Sequence, residues 1–257
     1  MKLFLFTTDL TLAQKAEDAG VESVLVDWER KGKAVRQSGH NLEINQDSPD
    51  DVKLLADNLN IPVTVRVNPI GYYTKDEVNL AIDCGAKVIM LPMSKSVKDV
   101  ERFLKIIDNR TETLVQIETP ELVNKVGELN KLPWDYAHVG LNDLMVAKGN
   151  RSIWEAVADG TVEEVCSKLE GKKFGFGGVT VLGGGTPIPF NLILNEMVRL
   201  GCSMGILRRS FKAEILDRDF NSEIEILRMW IKSCSKRGEK SIQHDHELLK
   251  GIIKKYI

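Results

Sequence analysis

The sequence has little net charge, because its 35 basic and 37 acidic residues nearly cancel to a formal charge of −2. A chain without an excess of Lys and Arg has no broad cationic field with which to hold nucleic acid or an anionic membrane surface. We therefore expect neither nucleic acid nor a membrane among the partners of this protein.

Long apolar runs are absent too, since no uninterrupted run reaches the roughly 18 residues that a membrane-spanning helix requires. The N-terminal residues MKLFLFTTDL contain one Lys and a short apolar run. An acidic amphipathic segment follows them, where a secretion signal would have a cleavage site of small residues. The start of the chain is therefore predicted to be a β-strand.

Paired cysteine motifs are also lacking. The four cysteines, Cys84, Cys166, Cys202 and Cys234, lie far apart in the sequence, and no His stands at ligand spacing from them. This pattern indicates neither a zinc site nor a disulfide framework, and it is typical of reduced thiols in a cytoplasmic protein.

What the sequence does contain is enough apolar material for one large core. Its 257 residues are 43% hydrophobic, and α/β barrels of about this length commonly form one domain. We expect a single domain over residues 1–257, in which residues 217–257 form a C-terminal helical extension.

Eight apolar segments of strand length alternate with segments of helical periodicity. The predicted strands are 2–7, 23–28, 63–68, 88–92, 113–118, 136–140, 173–179 and 204–207. The predicted helices are 10–19, 49–59, 75–84, 97–107, 120–129, 153–169 and 190–200, with N-caps at Ser48, Thr74 and Ser96. Strands that are apolar on both faces indicate a parallel sheet, and eight repeats favour a (β/α)8 TIM barrel of the α/β class. A doubly wound sheet is the alternative.

The C-terminal extension contains an amphipathic stretch, 223–234, that includes Leu227, Trp230 and Ile231. Apolar residues on such an appendage must be covered. Two interpretations remain open: the extension packs against a neighbouring subunit of a homo-oligomer, or it covers its own barrel.

Two acidic residues follow neighbouring predicted strands, because Glu118 closes the run LVQI and Asp143 follows AHVGLN. In a barrel the C-terminal strand ends form the active-site face, so these carboxylates should approach each other. A hard divalent cation such as Mg²⁺ or Mn²⁺ relieves the repulsion between them. We therefore predict a metal site at Glu118 and Asp143. Either acid alone would equally suit a helix N-cap or a surface position.

Arg66 ends the otherwise apolar segment VTVRVN. Its planar guanidinium suits recognition of a carboxylate, and an ion pair with Asp27 or Glu29 at the end of the second strand is a structural alternative. The two interpretations are compatible.

A second cluster follows the last two strands and consists of Gly177, Gly178, 183–185, Arg208 and Arg209. Barrels often bind phosphate there, although a triple glycine is also typical of a flexible turn. We predict that this cluster recognises one end of the substrate.

The histidines His40, His138, His244 and His246 stand in no ligand-spaced motif. Surface or core placement is the default for each of them. His40 alone is expected to reach the mouth of the barrel, where it could exchange a proton.

Several segments together resemble the HpcH/HpaI aldolase and citrate lyase beta-subunit family, which belongs to the phosphoenolpyruvate/pyruvate-binding barrels. The segments that carry the resemblance are AGVESVLVDWE, VTVRVNP, AIDCGAKVIMLPMSKSVKDVERF, LVQIETPELV and VGLNDLMVAKG. They occur in the family's order and spacing, and the match is strongest over residues 15–150.

The resemblance implies roles for particular residues. Glu118 and Asp143 would hold Mg²⁺ or Mn²⁺, and Arg66 would bind the oxo-acid portion of the substrate. Asp27 and Glu29 would support this arginine or the waters of the metal. Asp143 would also contact the substrate, together with Gly140 and Asn142 of the sixth-strand segment.

The implied activity is that of a metal-dependent aldolase or lyase, which cleaves or forms a carbon–carbon bond next to a 2-oxo acid in a small carboxylic acid. The alternatives are a lyase for a malyl- or citramalyl-like coenzyme A ester, and a catalytically altered barrel that binds an oxo acid. The chain departs from the aldolases at Arg30, where they carry His. This leaves metal-bound hydroxide, His40 or a residue of a neighbouring subunit as candidate bases.

Overall fold

The computed structural model describes residues 1–33, 46–169 and 171–257, and for Arg209 it describes the backbone alone. His40, which the sequence predicts at the barrel mouth, lies outside the described residues.

The described strands form one parallel sheet. In chain order they are β1 (Lys2–Phe6), β2 (Ser23–Asp27), β3 (Val63–Arg66), β4 (Val88–Leu91), β5 (Glu112–Ile117), β6 (Tyr136–Val139), β7 (Lys173–Phe176), β8 (Gly178–Val179) and β9 (Met204–Leu207). Their order in the sheet is β7-β6-β5-β4-β3-β2-β1-β9-β8. Because β7 and β8 are consecutive in the chain, the two ends of the sheet meet and the barrel is nearly closed.

The seventh predicted strand, 173–179, is divided at Gly177, which has a positive φ of 58°. The first part, β7, pairs with β6, whereas the second part, β8, pairs with β9. A residue with a side chain rarely adopts this backbone conformation, so glycine permits the change of partner. The sequence shows one apolar run here because both parts are largely buried.

Helices alternate with the strands, and the prediction of an α/β barrel is confirmed. The described helices are α1 (Leu10–Asp18), α2 (Pro49–Asn58), α3 (Thr74–Asp83), α4 (Val97–Ile107), α5 (Pro120–Val123), α6 (Val126–Leu129), α7 (Leu141–Lys148), α8 (Glu155–Ala158), α9 (Thr161–Lys168), α10 (Phe190–Arg199), α11 (Arg209–Glu214), α12 (Phe220–Cys234) and α13 (Glu239–Lys254).

In the structure, each of two long predicted helices is divided into two short helices. The segment 120–129 consists of α5 and α6, and the segment 153–169 contains α8 and α9, which are separated at Gly160 with its φ of 87°. Helix α7 was not predicted. Leu141, Leu144 and Met145 are buried in it at helical spacing, but the helix has only eight residues and Asp143 is buried as well, so the sequence shows little amphipathic periodicity.

Two of the three predicted N-caps are confirmed. Ser48 and Ser96 each accept a hydrogen bond from the backbone three residues later and form capping boxes with Asp51 and Asp99. The prediction for Thr74 is wrong. Thr74 lies within α3, and its hydroxyl accepts a hydrogen bond from the backbone N–H of Gly71 at 2.8 Å.

The core has two layers. One lies between the sheet and the helices, and the other fills the barrel interior with Phe4, Leu25, Val88, Met90, Leu114, Tyr136, Met204 and Ile206. Alternate residues of a strand face the same side. Gln116 therefore continues the inward column of Leu114, and His138 continues that of Tyr136. Inside the barrel, polar side chains thus lie between the apolar layer and the C-terminal strand ends.

The C-terminal helices pack on the helices of their own barrel, α12 against α1 and α10, and α13 against α8 and α10. Leu227 and Leu249 are completely buried there, and the indole of Trp230 donates a hydrogen bond to Asn195 at 2.9 Å. Most of the apolar stripe of the extension is thereby covered within the chain. Among the described helices, none combines the length and the apolar composition that a membrane span requires.

Candidate active site

A cavity of about 480 Å³ opens at the C-terminal ends of the strands. Six residues that the sequence predicts for the site line it: Asp27, Arg66, Glu118, Gly140, Asn142 and Asp143. Glu29 does not line the cavity. It is buried behind Arg66, with 3.5 Å between its Oε2 and the arginine Nε.

Asp27 and Arg66 form a two-point ion pair across the neighbouring strands β2 and β3. Arg66 donates from Nε to Oδ1 at 2.8 Å and from Nη2 to Oδ2 at 2.7 Å. Burial alone would raise the pKa of Asp27, but the charges and hydrogen bonds of Arg66 and Lys33 outweigh burial and hold it well below its usual range. Asp27 is therefore an anion that orients the guanidinium.

The remaining side of Arg66 is turned to the cavity. Its Nη1 has a long contact of 3.5 Å to Gln116 Oε1, and the Phe6 ring lies 5.0 Å from the guanidinium carbon. Because Asp27 already occupies Nε and Nη2, Nη1 is the group best placed to meet a carboxylate or an oxyanion in the cavity.

Lys33 is a buried ammonium that sequence reasoning missed. Its Nζ lies 2.8 Å from Asp27 Oδ2 and 3.9 Å from Glu29 Oε2. Nothing in the local sequence distinguishes this lysine from a surface residue in a loop. Lys33 thus joins Asp27, Glu29 and Arg66 in one cluster of two acids and two bases.

Glu118 and Asp143 are both buried, and both line the same cavity. Glu118 Oε1 accepts a hydrogen bond from the backbone N–H of Met93 at 2.9 Å. Burial raises the pKa of Glu118 well above its usual value, and the negative charges of Asp143 and Glu29 raise it further. Glu118 and Asp143 therefore lie close enough to repel each other.

Gly140 makes room for this pair of acids. A Cβ atom at position 140 would lie 2.6 Å from Glu118 Oε2 and 2.8 Å from Gln116 Nε2. Any larger residue would displace the carboxylate or the amide. The glycine at the end of β6 is therefore required by the packing of the site.

The donor set fits a hard divalent cation, because two carboxylates lie within range of each other's charge on the wall of one cavity and carboxylate oxygens are its preferred ligands. No group of three or more His, Cys, Asp or Glu side chains in the described residues could hold a metal ion. The protein would thus supply two carboxylates, and water or substrate would complete the shell. Such an open shell is typical of catalytic Mg²⁺ sites.

Arg30, at the position where the sequence resemblance leads us to expect histidine, is not among the described residues that line the cavity. It is exposed, and its Nη2 donates a hydrogen bond to the carbonyl of Asp47 at 2.6 Å. An arginine does not lose its proton in proteins. Arg30 therefore provides neither a base nor a contact to a molecule in the cavity.

His138 lines the cavity, although its sequence context did not distinguish it from a core histidine. Its Nε2 lies 2.7 Å from the carbonyl of Gly177, so this nitrogen carries the proton, and Nδ1 has no hydrogen-bond partner among the described residues. Burial lowers the pKa of His138 to about 4. The imidazole is therefore neutral at physiological pH.

Part of the second predicted cluster lies on the same cavity, whereas residues 183–185 are not in its lining and the side chain of Arg209 is not described. Gly177, Gly178 and Arg208 line it, together with Thr186, Ser210, Lys212 and Glu214. Gly185 is packed directly against Arg208, since a Cβ there would lie 2.9 Å from Nη2. The fold thus brings the glycine-rich segment and the end of β9 to the acidic pair.

No protein-family model matches the chain, and no curated protein matches it in sequence. Several solved structures share its fold. One is an HpcH/HpaI aldolase from Desulfitobacterium hafniense DCB-2, with a TM-score of 0.61 and 13% identity, over 93% of this chain and 94% of that one.

A second is the citrate synthase SbnG, with a TM-score of 0.61 and 17% identity, over 84% of this chain and 89% of that one. A third is 3-hexulose-6-phosphate synthase from Salmonella typhimurium, with a TM-score of 0.62 and 13% identity, over 91% and 100% of the two chains. The likeness at these identities is one of fold, and the predicted resemblance to the HpcH/HpaI aldolases is confirmed at that level.

Proposed function

We propose that the protein is a divalent-metal-dependent carbon–carbon lyase, which cleaves or forms the bond next to a 2-oxo acid. The observation that carries the proposal is that Glu118 and Asp143, within range of each other's charge, line the cavity that also contains the oriented guanidinium of Arg66. The fold shared with an HpcH/HpaI aldolase supports the same chemistry.

Two groups of side chains in the cavity would have different roles, one binding the metal ion and the other placing positive charge beside the substrate. Mg²⁺ or Mn²⁺ bound by Glu118 and Asp143 would supply Lewis acidity to the carboxylate and 2-oxo oxygens. Arg66 would place positive charge beside the oxyanion that develops when the bond breaks, and Asp27 keeps the guanidinium in that orientation. The burial of these groups increases the strength of each charge interaction.

Enolisation of pyruvate tests the proposal directly. With Mn²⁺ or Mg²⁺, the methyl protons of pyruvate should exchange with heavy water in the presence of the protein. Exchange should fall at least about a hundredfold in Glu118→Gln, because the substitution removes one ligand of the ion that would stabilise the developing negative charge. The matched control is Glu121→Gln, because Glu121 is half exposed and pairs with Lys95 at the surface.

A barrel that binds an oxo acid without turning it over is the second candidate. Arg30 favours it, because the side chain at the place of the aldolase histidine cannot accept a proton. Metal-dependent exchange would exclude this candidate. Pyruvate binding without proton exchange, with either metal ion, would contradict the lyase proposal instead.

Calorimetric titration with coenzyme A distinguishes a thioester lyase from an enzyme for free acids.

A further inference from the structure

We propose that Arg208 binds a second anionic group of the substrate, a carboxylate or a phosphate, at the end remote from the reacting bond. This inference rests on the proposed function, because it specifies the substrate class of the same cavity. The lyase would then act on a small dianion that carries an acidic group at both ends.

Arg208 lacks the compensation that Arg66 has. Arg66 meets Asp27 at 2.7 Å, whereas no described carboxylate lies within ion-pair distance of the Arg208 guanidinium. The Nε of Arg208 is buried and has no hydrogen-bond partner among the described residues. Arg208 is partly buried, and the charge of Glu214 acts on it without an ion-pair contact, so the guanidinium keeps donors that an anion entering the cavity would meet.

The residues around Arg208 pack against its side chain and keep it at the cavity wall. A Cβ at Gly178 would lie 2.6 Å from Arg208 Cβ, and one at Gly185 would lie 2.9 Å from Nη2. The Phe190 ring lies 5.7 Å from the guanidinium carbon and packs along the side chain. Two glycines and an aromatic ring therefore define one position for this arginine.

The neighbouring side chains add donors and positive charge. Ser210, Lys212 and Thr186 line the same part of the cavity. Glu214 is the acid among the described lining residues there, and its Oε2 accepts the Thr180 hydroxyl at 2.6 Å. The described lining side chains at this end thus include two bases, Arg208 and Lys212, and one acid, and the Asp47 carboxylate outside the lining also acts on Lys212. Arg208 and Lys212 are the groups at this end that an anionic ligand group would meet.

The position relative to the acidic pair indicates which part of the substrate Arg208 meets. Arg208 follows β9, and Glu118 and Asp143 follow β5 and β6 across the same cavity. A molecule whose oxo acid lies at the acidic pair and Arg66 would extend its other end towards Arg208. The loops after the last two strands are also where barrels commonly bind phosphate groups.

The test compares two ligands that differ at one end. 2-Oxoglutarate and 2-oxopentanoate have equal length, but one ends in a carboxylate and the other in a methyl group. In calorimetry with Mn²⁺, the wild type should bind 2-oxoglutarate at least about tenfold more tightly, which is about 1.4 kcal/mol. Arg208→Met should remove this preference and leave the affinity for 2-oxopentanoate within about twofold. Arg208→Lys should retain part of it.

The matched control is Arg102→Met, since Arg102 is exposed and donates to a backbone carbonyl at the surface. Glutarate and inorganic phosphate, titrated without metal, distinguish a carboxylate site from a phosphate site, because the ligand that fits the site has the lower Kd.

Thermal unfolding provides a second, independent measurement. Arg208→Met should unfold at the same or a higher temperature, whereas an arginine that holds the fold together would lower it.

The outcomes separate this inference from the lyase proposal. If the two oxo acids bind equally and neither glutarate nor phosphate binds, the Arg208 subsite is wrong and the lyase proposal stands. A second outcome is that neither oxo acid binds with Mn²⁺, while phosphate or glutarate binds to the wild type and not to Arg208→Met. In that case the lyase proposal fails and the anion subsite stands. Should Arg208→Met fail to fold, the inference is contradicted unless Arg208→Lys folds and weakens the preference.

Discussion

At Glu118 the stability of the fold and the proposed chemistry have opposite requirements, because a buried negative charge destabilises the fold and the same charge would bind the metal ion. Burial and nearby negative charges raise its pKa above that in the unfolded chain. The stability that this group contributes is therefore present in acid and lost as the pH rises above its unfolded value of about 4.3. A cation at the pair would restore this stability at neutral pH.

We predict that Glu118→Gln stabilises the metal-free protein at pH 7, because the amide keeps the acceptor for Met93 N–H without the charge. Mn²⁺ at a hundred times its Kd should stabilise the wild type by about 2.7 kcal/mol and leave the variant unchanged. Thermal unfolding with and without chelator measures both effects. A lower unfolding temperature for Glu118→Gln in chelator would contradict the account of this pair.

His138 provides a second test at the residue scale. Its pKa is about 4 in the folded protein and about 6.5 when unfolded, so the unfolded chain takes up a proton first as the pH falls. Folding is therefore penalised progressively between about pH 6.5 and 4, by about 3 kcal/mol in total.

We predict that His138→Gln loses about 3 kcal/mol less stability than the wild type over this interval. Urea unfolding at several pH values gives the two profiles, and the constant cost of the substitution appears as a vertical offset between them. Parallel profiles would show that His138 takes up its proton at the same pH in the folded and the unfolded protein, and would contradict the lowered pKa.

At the scale of elements, the junction between β6 and α7 determines whether the acidic pair can form. Gly140 ends the strand beside Glu118, and Asp143 lies in the first turn of the helix. One short segment thus supplies one carboxylate of the pair and the space for the other.

We predict that Gly140→Ala weakens Mn²⁺ binding at least about tenfold while the barrel still folds, because the new Cβ must displace the Glu118 carboxylate. Gly127→Ala is the control: it lies in α6, nothing stands within 4 Å of the added Cβ, and Mn²⁺ binding should not change. Calorimetric titration measures both variants. Equal affinity in Gly140→Ala and the wild type would exclude Glu118 as a ligand.

The strands were predictable because each is a short apolar run bounded by turn residues, and the eighth, β9, was predicted with its observed bounds. The pairing of Arg66 with Asp27 was predictable because adjacent parallel strands end at the same edge. Gln116, Lys33 and His138 were missed. Whether an isolated polar residue faces a cavity depends on strand register and on contacts far along the chain, which a single sequence does not encode locally.

At the scale of the whole molecule, the C-terminal helices complete the outer layer of the barrel. Leu249 in α13 is fully buried, whereas its neighbour Leu248 is 44% exposed. The two leucines therefore offer a matched pair with which to test where the extension packs.

We predict that Leu249→Ala costs about 2 to 5 kcal/mol of stability through loss of buried surface and the cavity that remains. Leu248→Ala should cost less than about 1 kcal/mol. Denaturant unfolding with light scattering measures stability and subunit number together. If the extension served mainly as a contact between subunits, Leu249→Ala would change the oligomeric state and leave the stability of the protomer unaltered.

The central claim is that Glu118 and Asp143 hold one divalent ion beside Arg66. A crystal structure with Mn²⁺ and oxalate, which mimics the pyruvate enolate, tests it most directly. We predict one ion about 2.0 to 2.6 Å from an oxygen of each acid, with oxalate between the ion and Arg66 Nη1. Mn²⁺ bound elsewhere, or oxalate bound without the ion, would contradict the account.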